Sequence, residues 1–174
     1  GALLRPAGEA SGMGTGHYVP SIQAGYEPAL NSVLPLMAWP DILVGPGLLG
    51  GSMNLSLEQL VIDVEVFRLF RRARQGIDTG EERWLEDIID RIGPGGHFMA
   101  EPSTVVGIRG GEWHVGTLGV HETYEVWEAN GRPELVGEAR GEVERILAEH
   151  RPLPLDKEAE RELERIEHAA REEA

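Results

Sequence analysis

The first clear pattern of apolar and polar positions is a helical one over residues 22–39. Apolar residues recur at steps of three and four, which marks one face of a helix: Ile22, Tyr26, Leu30, Val33, Leu34, Met37 and Ala38. Pro28 is compatible with this helix only near its first turn, and Pro40 ends it. The aliphatic run at residues 42–44 follows, and such runs are typical of strands in a parallel sheet. We therefore predict a helix, then a buried strand that pairs in parallel with a neighbour.

A second helical pattern follows the glycine-rich loop at residues 45–54. Ser56 stands where it can cap the helix start, and Gln59 is placed to reach back to it in a capping box. The apolar positions predict a helix covered over most of its circumference: Leu57, Leu60, Val61, Ile62, Val64, Val66, Phe67, Leu69 and Phe70. The arginines at residues 68–74 suit the negative end of the helix dipole, which we favour over a phosphate-binding patch.

The rest of the chain predicts further helices and one long irregular segment. Thr79 with Glu82 has the form of a capping box before an apolar helix that stops at Gly93. Residues 101–120 have many glycines and little periodicity, which predicts an irregular crossing. A short helix around Tyr124 and Trp127 and two acidic amphipathic helices, at residues 134–149 and 156–172, complete the pattern. Residues 1–16 show no capped element, so we read them as the edge of a fragment.

Composition narrows the class of protein. The 174 residues are 41% apolar and 26% charged, which is typical of one globular domain with a core. The absence of cysteine excludes disulfides and thiolate chemistry, and we expect a cytoplasmic protein. The net charge of −14 argues against nucleic acid and anionic membranes as partners. No apolar run approaches the ~20 residues that a membrane span requires.

Two glycine-rich segments are candidates for chemistry. Gly45, Gly47 and Gly50 match the dinucleotide fingerprint literally, but the capped helix begins later, at Ser56, so we reject nicotinamide binding. What remains is a flexible, backbone-exposing loop at the carboxyl end of a strand, where α/β folds place ligands. The second segment, at residues 93–98, presents His97 after a rigid turn. The histidines lack the spacing of zinc-binding pairs, so no metal site is predicted.

Four blocks together resemble one known family. They are Gln23-Ala24-Gly25-Tyr26-Glu27, Asp41-Ile42-Leu43-Val44-Gly45, Leu57-Glu58-Gln59-Leu60-Val61-Ile62-Asp63 and Gly93-Pro94-Gly95-Gly96-His97-Phe98. Their order and spacing resemble the carboxyl-terminal portion of the trimethylamine methyltransferase family, and the chain is similar to its members without pyrrolysine. The segment from Tyr124 to His150 is similar as well.

The resemblance implies a fold. It implies an α/β fold with a TIM-type (β/α)8 barrel, and a complete barrel needs ~250 residues. We therefore expect a partial barrel, formed by the last βα units over residues 1–100, with an irregular segment and a helical tail over residues 101–174. We also expect Gly45, Gly47 and His97 on one face, since loops after parallel strands share one end of a barrel.

The resemblance also implies an activity: transfer of a methyl group from a tertiary or quaternary amine to the cobalt of a corrinoid that a partner protein carries. Aromatic faces suit such a cation, so we assign substrate binding to Tyr18, Tyr26 and Phe98, with negative charge from Glu27 or Glu58. His97 is the candidate catalytic residue. The glycines assigned to corrinoid binding lie in the two loops: Gly45, Gly47, Gly95 and Gly96.

The alternative is a non-catalytic partial barrel that serves as a subunit or interaction module. For the individual residues, the alternative to substrate binding is core packing for Tyr26 and helix capping or solvent exposure for Glu27 and Glu58. Under either reading we expect a homo-oligomer or a complementing chain that supplies the missing strands.

Overall fold

The computed structural model describes residues 8–38 and 40–172. These residues form two compact units that divide between Val143 and Glu144. A 3-10 turn lies at Glu81–Arg83, and the strands and helices are β1 (Glu9–Ser11), α1 (Ile22–Met37), β2 (Ile42–Val44), β3 (Leu48–Leu49), β4 (Asn54–Leu55), α2 (Leu57–Arg74), α3 (Glu86–Ile92), α4 (Pro102–Arg109), α5 (Tyr124–Ala129), α6 (Leu135–Glu149) and α7 (Lys157–Glu172). The protein is therefore mixed α/β with small sheets. The domain boundary at residues 100 and 101 stays a prediction.

The central pair of strands is parallel, as the apolar run at residues 42–44 predicts. β1 pairs with β2 in the register Glu9 to Ile42 and Ser11 to Val44. The predicted burial of β2 is wrong, because Ile42 is 59% exposed. In the described part of the chain β2 has one neighbouring strand, so its other edge and part of its faces stay open. β1 was not predicted, because three residues become a strand only through their partner.

Helix α1 begins where predicted but buries the opposite face. Ser21 caps it, and its hydroxyl accepts a hydrogen bond from the Ala24 amide at 3.2 Å. The buried positions follow one i, i+4 stripe: Ala24, Pro28, Ser32 and Leu36. The predicted apolar face lies in solvent instead, with Ile22 91% and Leu34 74% exposed. The helix ends at Met37. Trp39, the predicted last residue, lies outside the described residues.

Helix α2 confirms its predicted cap but not its predicted coverage. The Ser56 hydroxyl accepts from the Gln59 amide at 3.1 Å, which closes the first turn. The Gln59 side chain does not return to the cap, so the capping box is wrong. The fully buried stripe consists of Gln59, Ile62 and Asp63, while Leu57 and Leu69 are exposed. Two polar side chains therefore occupy the inner face of this helix.

Between Arg74 and Val120 the structure corrects two predictions. The Thr79–Glu82 capping box is wrong, since the Asp78 carboxylate accepts from the Gly80 amide at 3.0 Å and shapes a turn of its own. The irregular crossing is interrupted by α4, whose proline at the first turn is a helix-start signal. The predicted stop at Gly93 is confirmed, with φ of 68° there.

The remaining helices confirm the sequence pattern. α5 contains Tyr124 and Trp127, whose ring centroids lie 5.6 Å apart. α6 and α7 span the two predicted acidic segments. At the end of α2, Arg72 donates through Nη1 to the Gly76 carbonyl at 2.9 Å, as expected of a cation near a helix carboxyl end. None of the helices in residues 8–38 and 40–172 is long and apolar enough to cross a membrane.

Candidate functional site

The loops that follow the two parallel strands bind to each other. The loop after β1 donates from the Thr15 amide to the Leu48 carbonyl at 3.2 Å. It receives two bonds in return, from the Gly50 amide to the His17 carbonyl at 2.8 Å and from the Gly51 amide to the Thr15 carbonyl at 3.0 Å. Ligand sites of parallel α/β folds lie at this end of the strands. We therefore define the candidate site as the loop at residues 12–21 with the β3–β4 hairpin at residues 45–55.

The second loop is a packed hairpin rather than a flexible, backbone-exposing one. Gly45 and Gly47 are buried, with φ of 116° and 80°. A Cβ on Gly47 would lie 2.9 Å from Leu55 Cδ1 and 3.0 Å from Leu60 Cβ. Glycine is therefore required here by close approach as well as by backbone conformation. This corrects the predicted loop geometry, while the assignment of Gly45 and Gly47 to corrinoid binding stays a prediction.

A buried polar pair on α2 fixes the hairpin. The Asp63 carboxylate accepts from the Gly47 amide and from Gln59 Nε2, each at 2.7 Å. Burial raises the pKa of Asp63 to about 6, against the opposing effect of these two hydrogen bonds. The sequence prediction missed this pair because it assigned Gln59 to the helix cap and gave Asp63 no role. The available signal was two polar residues at i, i+4 on the face that carries Ile62.

Glu27 ties α1 to the loop after β1. One carboxylate oxygen accepts from the Thr15 hydroxyl at 2.5 Å and the Gly16 amide at 2.9 Å, and the other from Gln23 Nε2 at 2.8 Å. The hydrogen bond from Thr15 and those from Gly16 and Gln23 lower the pKa of Glu27. Glu27 therefore places a fixed negative charge beside the loop.

We expect the Gly16 amide resonance to report this carboxylate. Because the folded-state pKa of Glu27 is lowered, the contribution of its carboxylate to stability is present above the ordinary pKa of 4.5. It is lost as the pH falls through the lowered pKa of the folded state. In a pH titration by NMR the Gly16 amide should shift with a midpoint below 4.5, and Glu27→Gln should abolish that shift. A Gly16 resonance that titrates equally in the variant would contradict the interaction.

The two candidate tyrosines are both exposed. Tyr18 is 70% exposed, and its ring passes so close to Gly50 that a Cβ there would lie 2.9 Å from Tyr18 Cδ1. Tyr26, beside Glu27 in α1, is 52% exposed. The structure therefore rejects core packing as the explanation for Tyr26, and both rings are accessible to a ligand.

Glu58 stands apart from this cluster. Its carboxylate accepts from the Ser56 hydroxyl at 2.9 Å and from Arg140 at 3.3 Å. The hydrogen bond from the backbone amide of Glu58 itself, followed by those from Ser56 and Arg140, lowers its pKa. Glu58 thus connects the start of α2 to α6. Its assignment to substrate binding stays a prediction.

The segment after α3 is exposed. Gly95 has φ of 83° with open space around its Cβ position, whereas Gly96 lies against Ile92. His97 is exposed, and Phe98 is 44% exposed. In the part of the chain that the structure describes, no hydrogen bond joins the His97 side chain to the candidate site. The structure thus brings together Tyr18, Glu27, Gly45 and Gly47, and the shared face with His97 stays a prediction.

The fold and site define an α/β protein in which a carboxylate of α1 is bonded to the loop after β1, and that loop also carries the exposed Tyr18. Across residues 8–38 and 40–172 no group of three or more His, Asp or Glu side chains could hold a metal ion. Comparison with known proteins identifies the class. The sequence model of the trimethylamine methyltransferase (MTTB) family matches residues 7–174, and the chain belongs to this family.

The curated relatives agree with that assignment. The chain is 31% identical over 150 residues to trimethylamine methyltransferase MttB of Methanosarcina barkeri, which covers 85% of the chain and 30% of that protein. It is 28% identical over 143 residues to glycine betaine methyltransferase of Desulfitobacterium hafniense (strain Y51), which covers 82% of the chain and 29% of that protein. The chain thus spans about three-tenths of the length of these relatives.

Proposed function

We propose that this chain works as part of a barrel that moves a methyl group from a tertiary or quaternary amine, of the trimethylamine or betaine type, to the cobalt of a separate corrinoid protein. Membership of the family and the names of its relatives support amine methyl transfer. The parallel pair β1–β2, with α1 after β1 and the β3–β4 hairpin and α2 after β2, supports a partial TIM-type barrel. The remaining strands then come from another segment or chain.

The observation that carries this proposal is the ionised Glu27, which is bonded to the loop that also carries the exposed Tyr18. A quaternary ammonium has no N–H to donate, so it is recognised by negative charge and by aromatic faces. Glu27 supplies the charge where the Thr15–Gly16 loop passes, and Tyr18 follows two residues after Gly16. Tyr26 presents a second ring from the same helix as Glu27. These residues bind and orient the amine.

The structure favours one of the two predicted corrinoid contacts. Reduced cobalt supplies the nucleophile that a methyl group on nitrogen requires. Gly47 is buried and its amide is engaged by Asp63, so the hairpin glycines fit a structural role better than contact with a docked cofactor. Gly95, Gly96 and His97 are exposed, and they fit a docking surface for the partner protein. His97 then orients the methyl donor or contacts the corrinoid.

The test uses the chain with a polypeptide that completes the family length. We expect methylation of cobalt from trimethylamine, glycine betaine or carnitine only with a reduced corrinoid present. Glu27→Gln should lower kcat/KM at least tenfold, because it removes the charge and keeps the side-chain size. The matched control is Glu138→Gln, since Glu138 also accepts a backbone amide, from Gly119 at 2.7 Å. Cobalt methylation with none of the three amines would refute the proposal.

His97→Ala tests the second loop. The side chain is exposed, so its removal should change the free energy of unfolding by less than about 0.5 kcal/mol. Methyl transfer should nevertheless fall at least tenfold, measured at saturating amine and corrinoid protein. An unchanged rate would remove His97 from the reaction.

A second function, as a non-catalytic module, is favoured by the exposed stripe on α1. Large apolar side chains there face solvent rather than the core: Ile22, Tyr26, Leu30, Leu34 and Met37. A scaffold role requires such a surface but not an ionised Glu27. If the completed assembly forms and Glu27→Gln leaves amine binding unchanged, the module reading becomes the better one.

A further inference from the structure

Three separate segments meet at two side chains of α2. Gln59 Nε2 donates to the Ala24 carbonyl of α1 at 2.8 Å and to the Asp63 carboxylate at 2.7 Å. The other oxygen of that carboxylate accepts from the Gly47 amide of the hairpin at 2.7 Å. Gln59 is 1% exposed and Asp63 is 0% exposed. Neither side chain is in reach of a ligand from solvent.

The connection continues to the other loop of the candidate site. The amide of Ala24 donates to the Ser21 hydroxyl at 3.2 Å, and that hydroxyl lies 3.1 Å from His17 Nδ1. A series of hydrogen bonds therefore runs from the hairpin, through α2 and the first turn of α1, to the loop after β1. The hairpin and the residue next to Tyr18 are joined by one continuous set of contacts.

The orientation of every donor in the buried pair is determined. The two N–H bonds of Gln59 Nε2 serve its two acceptors, so the amide cannot turn round without placing oxygen against the Ala24 carbonyl. An amide in place of the Asp63 carboxylate sets one N–H donor against another, either at Gly47 or at Gln59. A well-packed apolar pair would avoid this requirement, whereas directed polar bonds specify geometry.

We propose that Gln59 and Asp63 are positioning residues of the candidate site, which hold the glycine hairpin in register with the start of α1 and with the loop that carries Tyr18. Their effect on amine binding rests on the proposed function, while their effect on the hairpin does not. The groups that face the carboxylate are uncharged: the Gly47 amide of the hairpin and Gln59 of α2. The raised pKa of Asp63 agrees with a carboxylate that lacks a cationic partner.

The experiment compares Asp63→Asn with a control on the same helix. Glu65 also accepts a backbone amide, from Thr117 at 2.9 Å, so Glu65→Gln makes the same chemical change on another side of α2. Hydrogen exchange and amide shifts are followed by NMR on the full chain. We expect Asp63→Asn to increase the exchange rates of the Gly47 and Ser56 amides. That increase should be at least tenfold larger than the increase for amides in the central turns of α6. In the wild type, the Gly47 shift should titrate near pH 6, and in Asp63→Asn it should not.

Amine binding is measured on each variant combined with the polypeptide that completes the family length, with trimethylamine, glycine betaine and carnitine as the probes. Asp63→Asn should weaken binding at least fivefold and Glu65→Gln should not. If the completed wild-type assembly binds none of the three amines, the proposed function fails, and the exchange comparison still decides positioning. Uniformly faster exchange throughout the chain in Asp63→Asn, or a Gly47 shift that does not depend on residue 63, would overturn the proposal.

Discussion

Gly47→Ala is expected to destabilise the protein by about 3 kcal/mol, because backbone strain and crowding act together at this position. Its φ of 80° is costly for any residue with a side chain, and the added Cβ meets Leu60 Cβ at 3.0 Å and the Ser56 carbonyl at 3.2 Å. The Leu55 side chain can move aside, but the Ser56 carbonyl belongs to the cap of α2. Strain at Gly47 is therefore passed to the helix that carries Gln59 and Asp63.

The matched control is Gly51→Ala in the same hairpin. Gly51 also has a positive φ, of 64°, but its Cβ position has open space within 4 Å. Gly51→Ala should therefore be destabilised only by backbone strain, by about 1 kcal/mol. Urea unfolding of the two variants measures the difference directly. Equal losses of stability in Gly47→Ala and Gly51→Ala would show that the contacts of the added Cβ at residue 47 cause no further destabilisation.

The second large effect is a pH-dependent stability that Asp63 contributes. Burial raises its pKa in the folded state to about 6 from an ordinary value of 3.8. Between these values the folded chain holds a proton that the unfolded chain has released, so stability falls as the pH rises from about 4 to 7. The difference of about two pKa units corresponds to about 3 kcal/mol.

Asp63→Asn removes this titration, so the comparison isolates it. We expect the stability of the wild type relative to Asp63→Asn to fall by about 2 kcal/mol between pH 4 and pH 7, since part of the full difference is already lost at pH 4. Glu65→Gln gives the opposite sign, since the pKa of Glu65 is lowered by its bonds with Thr117 and Arg68 despite desolvation. Denaturant titrations at several pH values measure both. If the difference in stability between the wild type and Asp63→Asn stays constant with pH, the Asp63 carboxylate does not titrate as a buried group without a cationic partner.

Local spacing was sufficient to predict most of the helices. The cap at Ser56, the stop at Gly93 and the acidic periodicity of the last two helices depend on neighbours within a few residues, which the sequence displays directly. The same holds for the parallel direction of β2, because a short aliphatic run between helices favours that pairing. The family was likewise evident in the sequence, since its blocks keep their order and spacing.

The candidate site could be predicted only in part. Tyr18, Glu27, Gly45 and Gly47 lie in or against the two loops that follow the parallel strands, but the contacts of Glu27 and Gly47 were not predicted. Glu27 is bonded to a loop, and Gly47 is buried under Leu55 and Leu60. Residue type indicated which side chains could take part in binding or catalysis. Only the packing of the hairpin in the tertiary structure decided which of these residues are exposed to solvent.

The sequence by itself determined where most of the helices lie, which family the blocks resemble and that the candidate site follows the parallel strands. The tertiary structure decided which face of α1 is buried, that residues 9–11 form a strand, and that Gln59 and Asp63 serve the hairpin. The physical reason is the range of the interactions. Caps and helical periodicity are satisfied within one or two turns, whereas the burial of a face and the partner of a buried carboxylate depend on segments that are distant in sequence.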